Sequence, residues 1–147
     1  MPRSTAAKVG VVPAAYAAGG VLLAGEAALH IQQYAGVIHG VRWIGPLFLA
    51  NAASCLVAIV GLAHPRTRRV AALAGIAISA VALGSLVASY GQGLFGWQEA
   101  GFRTPVALAV ITEVAAVILL STALTARAEP RGSAPDTNMV VTGKAGT

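Results

Sequence analysis

Two stretches of this chain carry no Asp, Glu, Lys or Arg: Trp43 to Pro65 and Val70 to Gln98. Each exceeds the ~20 residues that cross a ~30 Å hydrocarbon core at ~1.5 Å per residue. A soluble helical bundle would need a polar face on every helix, whereas these runs are apolar on all sides. Only 10% of residues are charged and 56% are hydrophobic. Soluble domains carry roughly a quarter charged residues. The chain therefore reads as an all-α, polytopic membrane protein.

The hydrophobic runs place four transmembrane helices at about 9–30, 44–63, 70–90 and 105–126. Pro46 and Pro105 sit near helix starts, where a missing backbone donor costs little, and Pro13 lies in the first turns of the first span. The basic-then-apolar beginning resembles a secretory signal in order, but the run is too long and three further spans follow, so a retained helix is expected. Short connections predict antiparallel neighbours in an up-down four-helix bundle. Residues 127–147 lack helical periodicity and carry Pro, Gly and Ser, the composition of a disordered cytoplasmic tail.

Four spans put both termini on one side. That side holds Arg3, Lys8, Arg66, Arg68, Arg69, Arg127, Arg131 and Lys144; the other holds Arg42 and Arg103. This bias predicts cytoplasmic termini in the cell membrane. The net charge of +5 thus reflects topology and anionic lipid, and no motif points to nucleic acid. Most aromatic residues, Tyr34, Trp43, Phe48, Tyr90, Phe95, Trp97 and Phe102 among them, gather at the outer ends. They form either an interfacial belt or an aromatic-lined mouth. Cys55 is the only cysteine, which excludes an intramolecular disulfide and fits a small core residue.

The scarce polar groups within the spans are the candidate site: Glu26, His30, Asn51, Ser85, Ser89 and Glu113. Glu26, His30 and Gln33 share one face of the first helix at i, i+4 and i+7; Ser85, Ser89 and Gln92 repeat that spacing on the third. Glu26 is expected about a turn below the outer end, and Glu113 close to mid-depth. A charge at the bilayer centre costs at least ~2.5 kcal/mol, so Glu113 must face the bundle, pair, or be protonated. Glu26 has the blander options of reaching the interface or pairing with His30. Asn51 and the serines read more simply as interhelical glue. Small residues recur at four-residue spacing, at Ala15 and Gly19, at Gly20, Ala24 and Ala28, at Gly75 and Ser79, and at Ala80, Gly84 and Ala88. This spacing permits close helix packing.

The segment from Gly25 through His30 to Ile44–Asn51 (IGPLFLAN) resembles uncharacterised small actinobacterial four-helix membrane proteins, in which a histidine ends the first helix and a Gly-Phe-Leu segment opens the second. The resemblance covers roughly the first half and implies no activity. The four-helix layout with a membrane glutamate also resembles small multidrug resistance transporters. That family places its essential acid deeper in the first helix within an aromatic setting that Glu26 lacks, and Glu113 has no counterpart there.

Three functions follow as expectations. The first is a non-enzymatic structural or interaction role in the bilayer, as a homo-oligomer or partner of other membrane proteins. The second is a proton- or cation-coupled carrier of a small solute using Glu26 and Glu113, with Asn51 and Ser85 lining a pocket. The third and weakest is an outer-face metal or haem binder through His30 and His39. No dense ligand spacing supports that third reading, so neither metal nor cofactor is expected. Catalytic motifs are missing from the sequence, and an enzyme is not expected. If the two glutamates face each other across a pocket the carrier is favoured; if they face separate packed helices, the structural role is.

Overall fold

The computed structural model describes residues 5–126. Four helices account for most of them: α1 (Thr5–Gln33), α2 (Ile44–Ala63), α3 (Arg68–Gly91) and α4 (Thr104–Thr125). Each is long and apolar enough to cross a membrane. The chain is thus a multi-pass, all-helical bundle; the proposed tail at 127–147 lies outside the described residues.

The helices form a closed ring in which each packs against its sequence neighbours and α4 returns to α1. The diagonal pairs barely meet. Small residues make this possible. Ala27, Ala52, Ala58, Ala72, Ala116 and Ala123 fill the interior together with Leu23, Leu62 and Leu120. Leu120 lies over Gly19 of α1 and Gly75 of α3, so one buried leucine fills hollows that two glycines leave. At Gly61 an added Cβ would stand 2.7 Å from the Cβ of Ala71, which fixes the closest approach of α2 and α3. Meanwhile Val21, Val57, Val60, Val81, Val87 and Ile111 point outward and are more than half exposed. An apolar exterior around a core of small residues is the arrangement that lipid favours over water.

Two differences from the expected boundaries matter for function. α1 does not stop near His30. It runs to Gln33 and continues through one π-helical turn, Tyr34–Ile38. Nothing in HIQQYA breaks a helix, and the chain leaves the helical column only after Ile38, in the turn at 39–40. The turn then packs closely on Gly45, where a Cβ would stand 3.0 Å from the Ile38 carbonyl oxygen. The extension moves the depth scale: Glu26 lies about three turns below the end of this helical column, not one. At its other end α1 begins at Thr5, which leaves Pro13 inside the helix.

The bundle therefore has a π-turn end, carrying the α1–α2 and α3–α4 connections, and an opposite tail end. At the tail end Arg68 donates to the Leu62 carbonyl (2.9 Å) and lies over the Tyr16 ring, while Thr67 donates to the Gly61 carbonyl (2.8 Å). These contacts satisfy carbonyls that the end of α2 leaves free. At the π-turn end, Leu94 and Trp97 exchange two backbone hydrogen bonds of 2.7 and 2.9 Å. Phe95 and Gly96 between them both have positive φ, 50° and 80°, the geometry of a tight hairpin turn.

Candidate functional site

All four helices contribute polar groups to one buried node. From α1 come Glu26, fully buried, and His30, 6% exposed. From α4 comes Glu113, 3% exposed. One ligand-capable atom from each of these three lies within 4.8 Å of the other two. α2 supplies Asn51 and Cys55, and α3 supplies Ser79.

The hydrogen bonds give the node a direction. His30 Nδ1 is 2.9 Å from the Glu26 backbone carbonyl. A carbonyl only accepts, so Nδ1 carries the proton. Nε2 is 2.9 Å from Asn51 Nδ2, and an amide NH2 only donates, so Nε2 is the acceptor and the ring is neutral. The Cys55 thiol donates to Asn51 Oδ1 at 3.4 Å, which agrees with that orientation of the amide. A relay thus runs from Cys55 through Asn51 and His30 to the α1 backbone. The Phe48 ring lies 4.9 Å from the imidazole and holds it from the pocket side.

The carboxylates are less completely satisfied. Ser79 Oγ donates to Glu26 Oε2 at 2.8 Å. Glu26 Oε1 and Glu113 Oε2 are buried and have no hydrogen-bond partner among the described residues. Unpaired buried carboxylate oxygens are rare in folded proteins and costly. Two of them, on side chains from different helices at one depth, mark a place where a positive group is wanted.

The node borders a pocket of about 420 Å³ between α2 and α3, within the size range of small-molecule sites. His30, Asn51 and Glu113 line it at the node. Leu47, Phe48, Ile78, Val81 and Leu86 give it apolar walls, and Leu94 and Trp97 of the hairpin turn reach its rim. Glu26 does not reach the pocket wall. It stands behind Glu113 and His30, closed off by Ser79.

Of the six residues singled out by sequence, Glu26, His30 and Glu113 come together and Asn51 joins them through His30. Ser85 and Ser89 line the same pocket, with Ser89 bonded to its own helix at the Leu86 carbonyl (2.7 Å). His39 is exposed and pairs edge-on with Tyr34; it takes no part in the node. The His30–His39 combination is replaced by a Glu–His–Glu set. Arg103 bonds Glu99 at 2.7 Å, not Glu113.

Sequence reasoning did not single out Ser79 or Glu99 as site residues. Ser79 lies four residues after Gly75 and reads as a packing residue until Glu26 is seen opposite. Glu99 lines the rim from a loop with no periodicity to read. The small-residue stripes divide: Gly19, Gly75 and Ser79 are used inside the bundle, whereas Ala24, Ala28, Ala80 and Gly84 face outward. Compared with known proteins, the chain matches no family model, no curated protein and no solved structure.

Proposed function

We propose that this protein is a proton- or cation-coupled carrier of a small solute, resident in the cytoplasmic membrane with both termini in the cytoplasm. The observation that carries the reading is the meeting of Glu26 and Glu113, each with an unpartnered buried oxygen, beside a pocket into which Glu113 opens. Two carboxylates in a medium of low polarity need compensating positive charge. A proton or cation supplies it, and its arrival or departure changes how the pocket holds a solute. The apolar walls and the few convergent polar groups suit a small, mostly apolar molecule with a hydrogen-bond donor. The excess of basic residues at the tail end supports an external position for the pocket.

The test is solute-driven flux in proteoliposomes, followed by an internal pH dye and by membrane currents across a panel of small apolar amines and alcohols. At least one solute is expected to give a signal that Glu113→Gln and Glu26→Gln abolish. Flux that survives both substitutions, or no Glu113-dependent signal anywhere in the panel, removes the carrier reading. A second reading, association with copies of itself or with other membrane proteins, is favoured by the outward stripes Ala24–Ala28 and Ala80–Gly84, which leave room for a close helix neighbour. A strictly monomeric protein in mild detergent, co-purifying with nothing, ends that reading.

A further inference from the structure

We propose that Glu26, His30 and Glu113 bind a divalent transition-metal ion of the zinc–manganese class. The inference rests on the carrier reading only in naming its coupling ion; the site stands on its own geometry.

Four observations converge on it. The three ligand atoms already lie within 4.8 Å of one another. Metal–ligand bonds of about 2.0–2.2 Å put neighbouring ligands about 3–4 Å apart, so closure takes side-chain adjustments and no backbone movement. The charge also balances. A divalent ion cancels two carboxylates and leaves a neutral site, which is what a membrane interior tolerates. A single shared proton can bridge the two unpartnered oxygens but leaves one negative charge uncancelled; a divalent ion cancels both.

The supporting bonds are those a metal site uses. The Nδ1–H of His30 is fixed on a backbone carbonyl, which leaves Nε2 as the ligand nitrogen, and Glu26 is held through its other oxygen by Ser79. Asn51 Nδ2 covers Nε2 in this structure. Ion entry exchanges that hydrogen bond for a coordinate bond, and rotation of the amide then presents Oδ1 as a further ligand. Finally, Glu113 and His30 open onto the pocket, which gives the ion a route in and leaves coordination positions for water or solute. One imidazole with two carboxylates suits zinc, manganese or ferrous iron; an all-oxygen set would suit magnesium or calcium better.

The experiment uses the full chain in lipid nanodiscs, stripped with chelator and then titrated with Zn2+, Mn2+ or Co2+ alone. Calorimetry and elemental analysis read affinity and stoichiometry, and Co2+ absorption reports direct coordination. About one ion per chain is expected. Glu113→Gln and His30→Ala are expected to lose the Co2+ band and to lower affinity more than about 100-fold. Ser79→Ala and Asn51→Ala, which remove supporting bonds, should cost roughly 10–100-fold. His39→Ala should leave binding intact. Helical circular dichroism checks that each variant folds, and the wild-type stoichiometry stands even if one does not. A wild-type protein that retains no divalent ion overturns the site, as does binding that survives both Glu113→Gln and His30→Ala. Metal binding without Glu113-dependent flux supports the site and ends the carrier reading. Glu113-dependent flux from a protein that binds no divalent ion does the reverse.

Discussion

At the residue scale, Glu26 and Glu113 are buried where a bundle of this composition would be more stable with apolar or amide side chains. The Ser79 hydroxyl is the one hydrogen-bond donor reaching the Glu26 carboxylate among the described residues. Ser79→Ala leaves both Glu26 oxygens buried and unpartnered, and it should lower stability by about 1–3 kcal/mol. Glu113→Gln should act in the opposite direction. It replaces one of two adjacent buried carboxyl groups with a neutral amide whose NH2 can donate toward the Glu26 carboxylate, so in chelator it should raise stability by about 1 kcal/mol or more. Thermal unfolding of the two variants and the wild type in one detergent checks both signs. Stabilisation by Glu113→Gln identifies a residue kept at a cost to the fold, as ligand-binding residues often are. Destabilisation as large as that of Ser79→Ala makes Glu113 structural glue.

At the element scale, glycines set how closely the helices approach, and their surroundings decide what alanine does. A Cβ at Gly61 meets the Ala71 Cβ, which has no rotamer to escape into. A Cβ at Gly84 meets nothing within 4 Å. Alanine gains about 0.8–1 kcal/mol of helix propensity at either place, but overpacking costs typically 1–3 kcal/mol. Gly84→Ala should therefore raise the unfolding temperature, and Gly61→Ala should lower it and open the α2–α3 contact; equal shifts would mean that the Gly61 approach is looser than described. These helices were plain in the sequence because unbroken apolar runs have few other folds available. α2 was expected at 44–63 and is found at Ile44–Ala63. The α1 end was not legible, because HIQQYAGVI is compatible with either a loop or a continued helix, and only contact with Gly45 selects the π turn. That single misplacement made Glu26 look shallow and left its meeting with Glu113 as one of two alternatives. Depth along one helix is readable from sequence; which faces turn toward each other depends on helix rotations set by Gly19, Gly75 and Leu120 together.

At the scale of the whole molecule, the carrier and metal readings share one dependence, the side of the membrane on which the pocket opens. The bundle is polar in the lengthwise sense. Arg66, Arg68 and Arg69 lie at the tail end, while Leu94, Trp97 and Glu99, which line the pocket, lie at the π-turn end. The basic charge of this connection favours a cytoplasmic location, since translocation against the membrane potential costs roughly 2.3 kcal/mol per charge per 100 mV. On the proposed orientation the pocket faces outward, and an ion reaching Glu113 arrives from the external solution. Added surface cysteines test this without disturbing the core. The native Cys55 is fully buried and is left in place; new cysteines are placed at Arg66 and Gln98, both exposed. In intact cells a membrane-impermeant maleimide should label Gln98→Cys and leave Arg66→Cys untouched until the cells are permeabilised. The reverse pattern turns the bundle over, puts the carboxylate node in contact with the cytosol, and changes the direction in which a bound ion would drive a solute. Labelling of both positions from outside rules out a single orientation, and with it a pocket that serves one face of the membrane.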